Sequence, residues 1–141
     1  MKLRRGHSAG ANARTLLPKL AKQYFEAGRK AFHDKTPSED LHRFRIATKR
    51  FRYTLELFQP VYGPGLERFL RELRELQTML GAVSDYQSIG ALVASDKALQ
   101  SRLQEALKRK RNELRQQWRA FDTDGQLKRW KTYLSSGHSP R

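Results

Sequence analysis

The stretch Leu41–Phe58, LHRFRIATKRFRYTLELF, constrains this chain more than any other part of it. On a helical lattice of about 100° per residue, Leu41, Phe44, Thr48, Phe51, Leu55 and Phe58 form one broad apolar stripe. Ile46, Tyr53 and Leu57 form a second, narrower apolar line. His42, Arg45, Lys49 and Arg52 fall between the two, at spacings of three, four and three. A surface helix normally turns its charges away from all apolar neighbours. A cationic row with apolar residues on both edges instead predicts a groove between two neighbouring helices.

Half-burying positive groups without counter-charge is costly. Glu56 is the only acid on that face of the helix. The missing counter-charge is most simply an anionic ligand. Arginine offers a fixed fork of donors that suits phosphate oxygens, and lysine adds a point charge. The plainer alternative is a solvated basic face whose acids come from another helix.

The whole chain leans the same way. Its 141 residues hold 29 Lys and Arg against 14 Asp and Glu, a net charge of +15. Such a chain repels itself until it meets an anion, so nucleic acid, an anionic membrane surface, or a phosphate-rich polymer or metabolite are the candidate partners. No cysteine is present, which excludes disulfides and thiolate metal sites. The start, MKLRRGHSAGANA, is charged without an apolar run, so no secretory leader is expected. No apolar stretch approaches a membrane span, and a cytoplasmic location is the default expectation.

Helical periodicity recurs throughout. Residues 1–10 are expected to be a disordered basic segment, a bundle to occupy 11–134, and 135–141 to be a loose tail. A first helix is predicted from about Ala11 to His33, with Pro18 near its start. Pro37 ends it, and Ser38 is the expected N-cap of the basic helix, which runs to Gln59-Pro60. After the Gly63-Pro64-Gly65 turn, Leu66, Phe69, Leu70, Leu73, Leu76 and Leu80 predict a third helix ending at Gly81. Ser84 and Asp85 are then expected to cap a short helix, or Asp85 to turn inward and pair with the basic helix. A last long helix is predicted over Asp96–Phe121, with Lys110 inside its apolar stripe, either snorkelling outward or reaching the cationic groove. A final turn or short helix carries Trp130, Tyr133 and Leu134. The fold class is therefore all-α, an antiparallel bundle of four to five helices.

Motifs for chemistry are missing. The chain has no GxxxxGK(S/T), GxGxxG or HExxH, and His7, His33, His42 and His138 are not at metal-ligand spacing. Neither catalysis nor a cofactor is expected. Cationic neighbours favour the neutral form of His42, and an occupying polyanion would reverse that.

Two segments carry a family resemblance. His42, Arg45, Ile46, Lys49, Arg50, Arg52 and Tyr53, read as HxxRIxxKRxRY, resemble the signature helix of the CHAD family, the conserved-histidine α-helical domains. Leu76, Gln77, Leu80, Gly81 and Asp85 resemble that family's LQxxLGxxxD segment. Trp130 after a basic final helix fits as well, so the resemblance covers about residues 11 to 134. It implies an all-helical domain that binds inorganic polyphosphate through a basic surface or channel, in some members at polyphosphate granules. By position it implies His42, Arg45, Lys49, Arg50 and Arg52 as ligand-facing, with Gln77, Asp85 and Tyr53 organising the site. Lys110 and Arg111 join the candidate ligand set as possible additions from the last long helix. The family usually pairs two helical halves by pseudo-twofold symmetry and often accompanies CYTH-type triphosphate hydrolases. This chain carries one half, closer to the second, and no CYTH segment, so a homodimer rebuilding the pair is a candidate assembly.

Two other readings stand beside polyphosphate binding. A nucleic-acid-binding protein is favoured by charge alone, but Phe44, Phe51 and Phe58 lie on the expected core stripe, which leaves no stacking platform. A histidine phosphotransfer bundle with His42 as the phosphorylated group is the third.

Overall fold

The structure is a computed structural model that describes residues 9–33 and 35–136. Five helices make the body: α1 (Ala9–Ala31), α2 (Ser38–Leu57), α4 (Leu66–Leu92), α5 (Lys97–Phe121) and α6 (Gln126–Ser136). A single turn, α3 (Gln59–Tyr62), leads through a 3₁₀ turn at Gly63–Gly65 into α4. Gly63 takes φ +75°, which a Cβ would resist, so this corner needs its glycine. The all-helical bundle expected from the periodicity is what the described residues form.

α1 packs against α2 and α6, α2 against α4, and α4 against α5. Tyr24 of α1 lies against Phe44 and Phe51 of α2, with ring centroids 5.0 Å apart in each pair. Its hydroxyl is 2.8 Å from Thr48 Oγ1, and Thr48 in turn donates to Phe44 O at 2.8 Å. Burial pushes the Tyr24 hydroxyl pKa upward, and the Thr48 bond opposes that only in part. Trp118 and Phe121 of α5 and Trp130 of α6 complete an aromatic centre with Phe25. Gly28 makes room for it: a Cβ there would stand 2.1 Å from the Trp118 ring.

Several boundaries differ from expectation. α1 begins at Ala9, so the expected disordered segment loses its last two residues to the helix, and residues 1–8, with His7, lie outside the described residues. Pro37 in extended backbone, not Ser38, is the N-cap residue of α2. The Ser38 hydroxyl instead accepts from Gln87 Nε2 at 2.9 Å, tying α2 to α4. Thr36 closes α1, donating within 2.6 Å of Ala31 O and accepting from His33 N at 3.0 Å. α6 continues to Ser136, and the rest of the tail, with His138, lies outside the described residues.

The largest correction is α4. Gly81 does not stop it, and Ser84 and Asp85 cap nothing: the helix runs unbroken from Leu66 to Leu92. A glycine ends a helix by taking positive φ, and Gly81 does not. Beyond Val83, no residue of the α4–α5 hairpin from Ser84 to Glu113 is buried, though Leu107 packs partly against the core. Ile89, Leu92 and Leu99 are exposed along it. Asp96 starts α5 by accepting from Leu99 N at 3.1 Å.

Candidate functional site

The rotation of α2 about its own axis is set by its core contacts. Leu41, Phe44, Thr48, Phe51 and Leu55 are buried, as the apolar stripe predicts, and Phe58 is half-buried. With those residues inward, His42, Arg45, Lys49 and Arg52 turn toward the edge that meets α4. The second apolar line does not lie against a neighbouring helix: Ile46, Tyr53 and Leu57 are exposed, Leu57 by 75%. The row is therefore walled by α4 on one side and bordered by an exposed apolar strip on the other.

α2 and α4 run antiparallel, with Arg45 at the level of Ser84 and Glu56 at the level of Arg74. The α4 wall is the stripe Arg74, Gln77, Gly81 and Ser84, at spacings of three, four and three. Arg45 Nη1 donates to Ser84 Oγ at 3.4 Å, a long bond. A Cβ on Gly81 would lie 3.9 Å from Arg45 Nη2, so the bare glycine borders the guanidinium. Arg52 Nη1 donates to Glu56 Oε1 at 2.9 Å, and the Arg52 guanidinium sits 4.6 Å from the Tyr53 ring centroid. Arg74 Nη1 meets Glu67 Oε1 at 2.5 Å at the far end of the stripe.

Hydrogen bonding along this groove is incomplete. Arg45 Nε and Arg52 Nε are buried donors without an acceptor, and Gln77 Oε1 is a buried acceptor without a donor. Buried polar atoms in folded chains are satisfied with few exceptions, and of the four exceptions among the described residues three lie on these two facing stripes. Among the described residues no carboxylate pairs with His42, Arg45 or Lys49. Among the described residues no acid of another helix pairs with the row, and Arg52 is met by Glu56 of its own helix. His42 is exposed and Lys49 half-exposed, so the row opens to solvent.

Not every candidate joins the row. Arg50 is exposed on the α1 side of α2, lining a shallow groove with Leu20, Gln23, Ala27 and Thr54. Adjacency in sequence rotates it away from Lys49. Lys110 pairs with Glu113 of its own helix at 3.5 Å, the snorkelling outcome. Arg111 is held at the α1–α2 junction by Thr36 O, beside Phe32, His33 and Leu41. Burial there, with Arg115 nearby, lowers its pKa from the usual arginine value. Neither Lys110 nor Arg111 is bonded to a member of the row. Asp85 is exposed and forms no ion pair among the described residues, so the inward pairing considered for it does not occur. Gln77 lies on the α4 stripe facing α2, and Tyr53 flanks Arg52. Ser84, Glu56 and Arg74 were not among the candidates; the spacing of Arg74, Gln77, Gly81 and Ser84 was the available signal, hidden by ending the helix at Gly81.

Hollows lie elsewhere on the molecule. A cleft of about 930 Å³ beside α6 is lined by Arg29, Asp122, Lys128 and Lys131, among others, and Arg29 there is engaged by Asp122 at 2.8 Å. Among the described residues no three His, Cys, Asp or Glu side chains gather as a metal site would need. No described helix is long and apolar enough to cross a membrane.

Comparison with known proteins bears on the same segments. A family model for the CHAD domain matches residues 2–94, which takes in α2, the groove wall of α4 and both motif segments. No curated protein and no solved structure matches the chain.

Proposed function

This chain belongs to the CHAD domain family, and from that footing we propose that it binds inorganic polyphosphate along the His42–Arg52 row without chemistry of its own. One observation carries the reading: among the described residues no carboxylate pairs with His42, Arg45 or Lys49, and the row's one internal carboxylate is Glu56 at Arg52. Non-bridging phosphate oxygens supply the missing counter-charge. Arg45 and Arg52 present guanidinium forks, Lys49 a point charge, and His42 a hydrogen bond at the open end. The interaction is chiefly counterion release, so affinity falls with salt.

Arg50, Lys110 and Arg111 contribute to the general positive field instead of to the row. On the same reading the protein is cytoplasmic and collects at polyphosphate granules. Two copies pair to rebuild a two-half arrangement, with exposed Ile46, Tyr53 and Leu57 between them; sedimentation with and without polyphosphate measures it.

Titration with long-chain polyphosphate at physiological salt, with RNA and orthophosphate as competitors, tests the reading. Binding that RNA does not displace supports it. Equal displacement by RNA makes the protein a generic polyanion binder. Absence of binding, or a folded Arg45→Glu/Lys49→Glu variant that binds like the parent, refutes it. Phosphate transfer from an acyl phosphate to His42 would favour a phosphotransfer bundle instead; Phe44 and Phe51 are buried and cannot stack on bases, which leaves Tyr53 as the exposed ring beside the row.

A further inference from the structure

The two ends of the cationic row are not alike. At the His42 end no carboxylate of the described residues forms an ion pair with His42, Arg45 or Lys49, Glu39 and Asp40 being paired with Arg43. At the other end Glu56 Oε1 stands 2.9 Å from Arg52 Nη1 and 3.8 Å from Arg74 Nη2. Arg74 is held in addition by Glu67, whose other oxygen accepts from Gln59 Nε2 at 3.3 Å. The Arg52 and Glu56 side chains are 16% and 32% exposed, so this pair is partly shielded from water. The Arg43–Glu39 pair on the same helix, at 73% and 86%, is not. Solvent screens the second pair far more than the first.

An anion advancing along the row from His42 therefore meets, at Arg52, a donor already occupied by a carboxylate. We infer that Glu56 is an internal counter-anion that a bound phosphate chain displaces from Arg52, and that it thereby sets the shortest chain the row accepts. The inference rests on the polyphosphate reading. One phosphate inside a chain carries about one negative charge, no more than the carboxylate it replaces, so exchange at Arg52 alone gains little. A chain gains because its neighbouring phosphates reach Lys49 and Arg45 at the same time, as linked binding units do. Orthophosphate has no such neighbours. Glu56 also separates Arg52 from Arg74, and without its charge the row would extend by one cation across to α4.

Glu56→Gln keeps the size and an acceptor oxygen while removing the charge. Glu105→Gln, at an exposed position on α5, changes net charge equally and is the control. With tripolyphosphate as the probe, Glu56→Gln should bind roughly 3- to 10-fold tighter than the parent, as expected for freeing one partly shielded cation, and Glu105→Gln less than about 2-fold tighter. The gain with long-chain polyphosphate should be smaller, because such a chain already engages several cations. An equal response of the two variants would overturn the inference, since bulk charge would explain it. Weaker binding by Glu56→Gln would also overturn it, making Glu56 a group that positions Arg52. The Arg52 Nε–H resonance separates this inference from the polyphosphate reading. If the parent binds no long-chain polyphosphate, that reading fails. Tripolyphosphate moving the resonance in Glu56→Gln and not in the parent would still support the counter-anion, and movement in neither would refute it.

Discussion

Arg45→Met should leave the protein more stable and its anion site lost. Arg45 has a buried Nε without an acceptor, and its Nη1 reaches only the Ser84 hydroxyl, at 3.4 Å. A buried donor left unsatisfied costs about 1–3 kcal/mol. Methionine keeps the length and apolar contacts of the arginine stem while removing the charge and its donors. Allowing for the weak Ser84 bond that is given up, the net gain should be about 1–2 kcal/mol. For a chain of this size that corresponds to roughly 4–8 °C in Tm. Thermal and urea unfolding in low-salt buffer free of phosphate and sulfate measures it. Polyphosphate at about 100 times its Kd should then add about 2.7 kcal/mol to the parent and much less to the variant, inverting their order. An Arg45→Met protein that is less stable than the parent by more than about 1 kcal/mol would refute the reasoning. The guanidinium would then be a structural tie to α4, not a donor awaiting a ligand.

Three further outcomes are expected. Lys49→Gln should flatten the dependence of log affinity on log salt by about 0.7, whereas Arg50→Gln, on the other side of α2, should change it by less than half as much; equal slopes would return Arg50 to the site. Gly28→Ala should cost about 1–3 kcal/mol in urea unfolding, because its Cβ has no space beside Trp118, while the folded fraction keeps its polyphosphate affinity. Glu72 has its pKa raised chiefly by burial, which Arg68 partly offsets. Its contribution is therefore most favourable below the ordinary carboxylate value and is lost as pH rises through the raised folded value. Glu72→Gln should be the more stable protein at pH 7, by about 0.5 kcal/mol, with the difference shrinking toward pH 4; a difference independent of pH would show that the carboxylate charge is not its cause.

What could be read from the chain depended on how local its cause is. The inward face of α2 follows from side-chain spacing, and Leu41, Phe44, Thr48, Phe51 and Leu55 are buried accordingly. The start of α5 follows from Asp96, whose carboxylate needs only the backbone three residues on. Gly81 was misleading because a glycine has two uses: it permits a helix to end, and it permits a neighbour to come close. Here neither use is taken: Gly81 keeps φ out of the positive range, and a Cβ there would meet Arg45 Nη2 at 3.9 Å, an ordinary contact. Ser38 likewise carries a capping side chain, but Gln87 from α4 takes its hydroxyl. The distribution of cations was partly legible. About 100° per residue separates Arg50 from Lys49, which periodicity alone gives, whereas the seat of Arg111 at Thr36 O depends on how α5 crosses the α1–α2 junction.

The unburied hairpin of α4 and α5 has a dynamic consequence. Backbone amides are protected from exchange with solvent by the packing above them, and from Ser84 to Glu113 no residue is fully buried. That hairpin should exchange hydrogen for deuterium well before α1 and the Leu66–Leu80 part of α4. The division falls within the groove wall itself: Gln77 stands on the slow side and Ser84 on the fast side. A polyanion laid along the row would thus rest on a firm edge at α2 and a yielding one at the outer half of α4, and slowed exchange near Ser84 would mark its arrival.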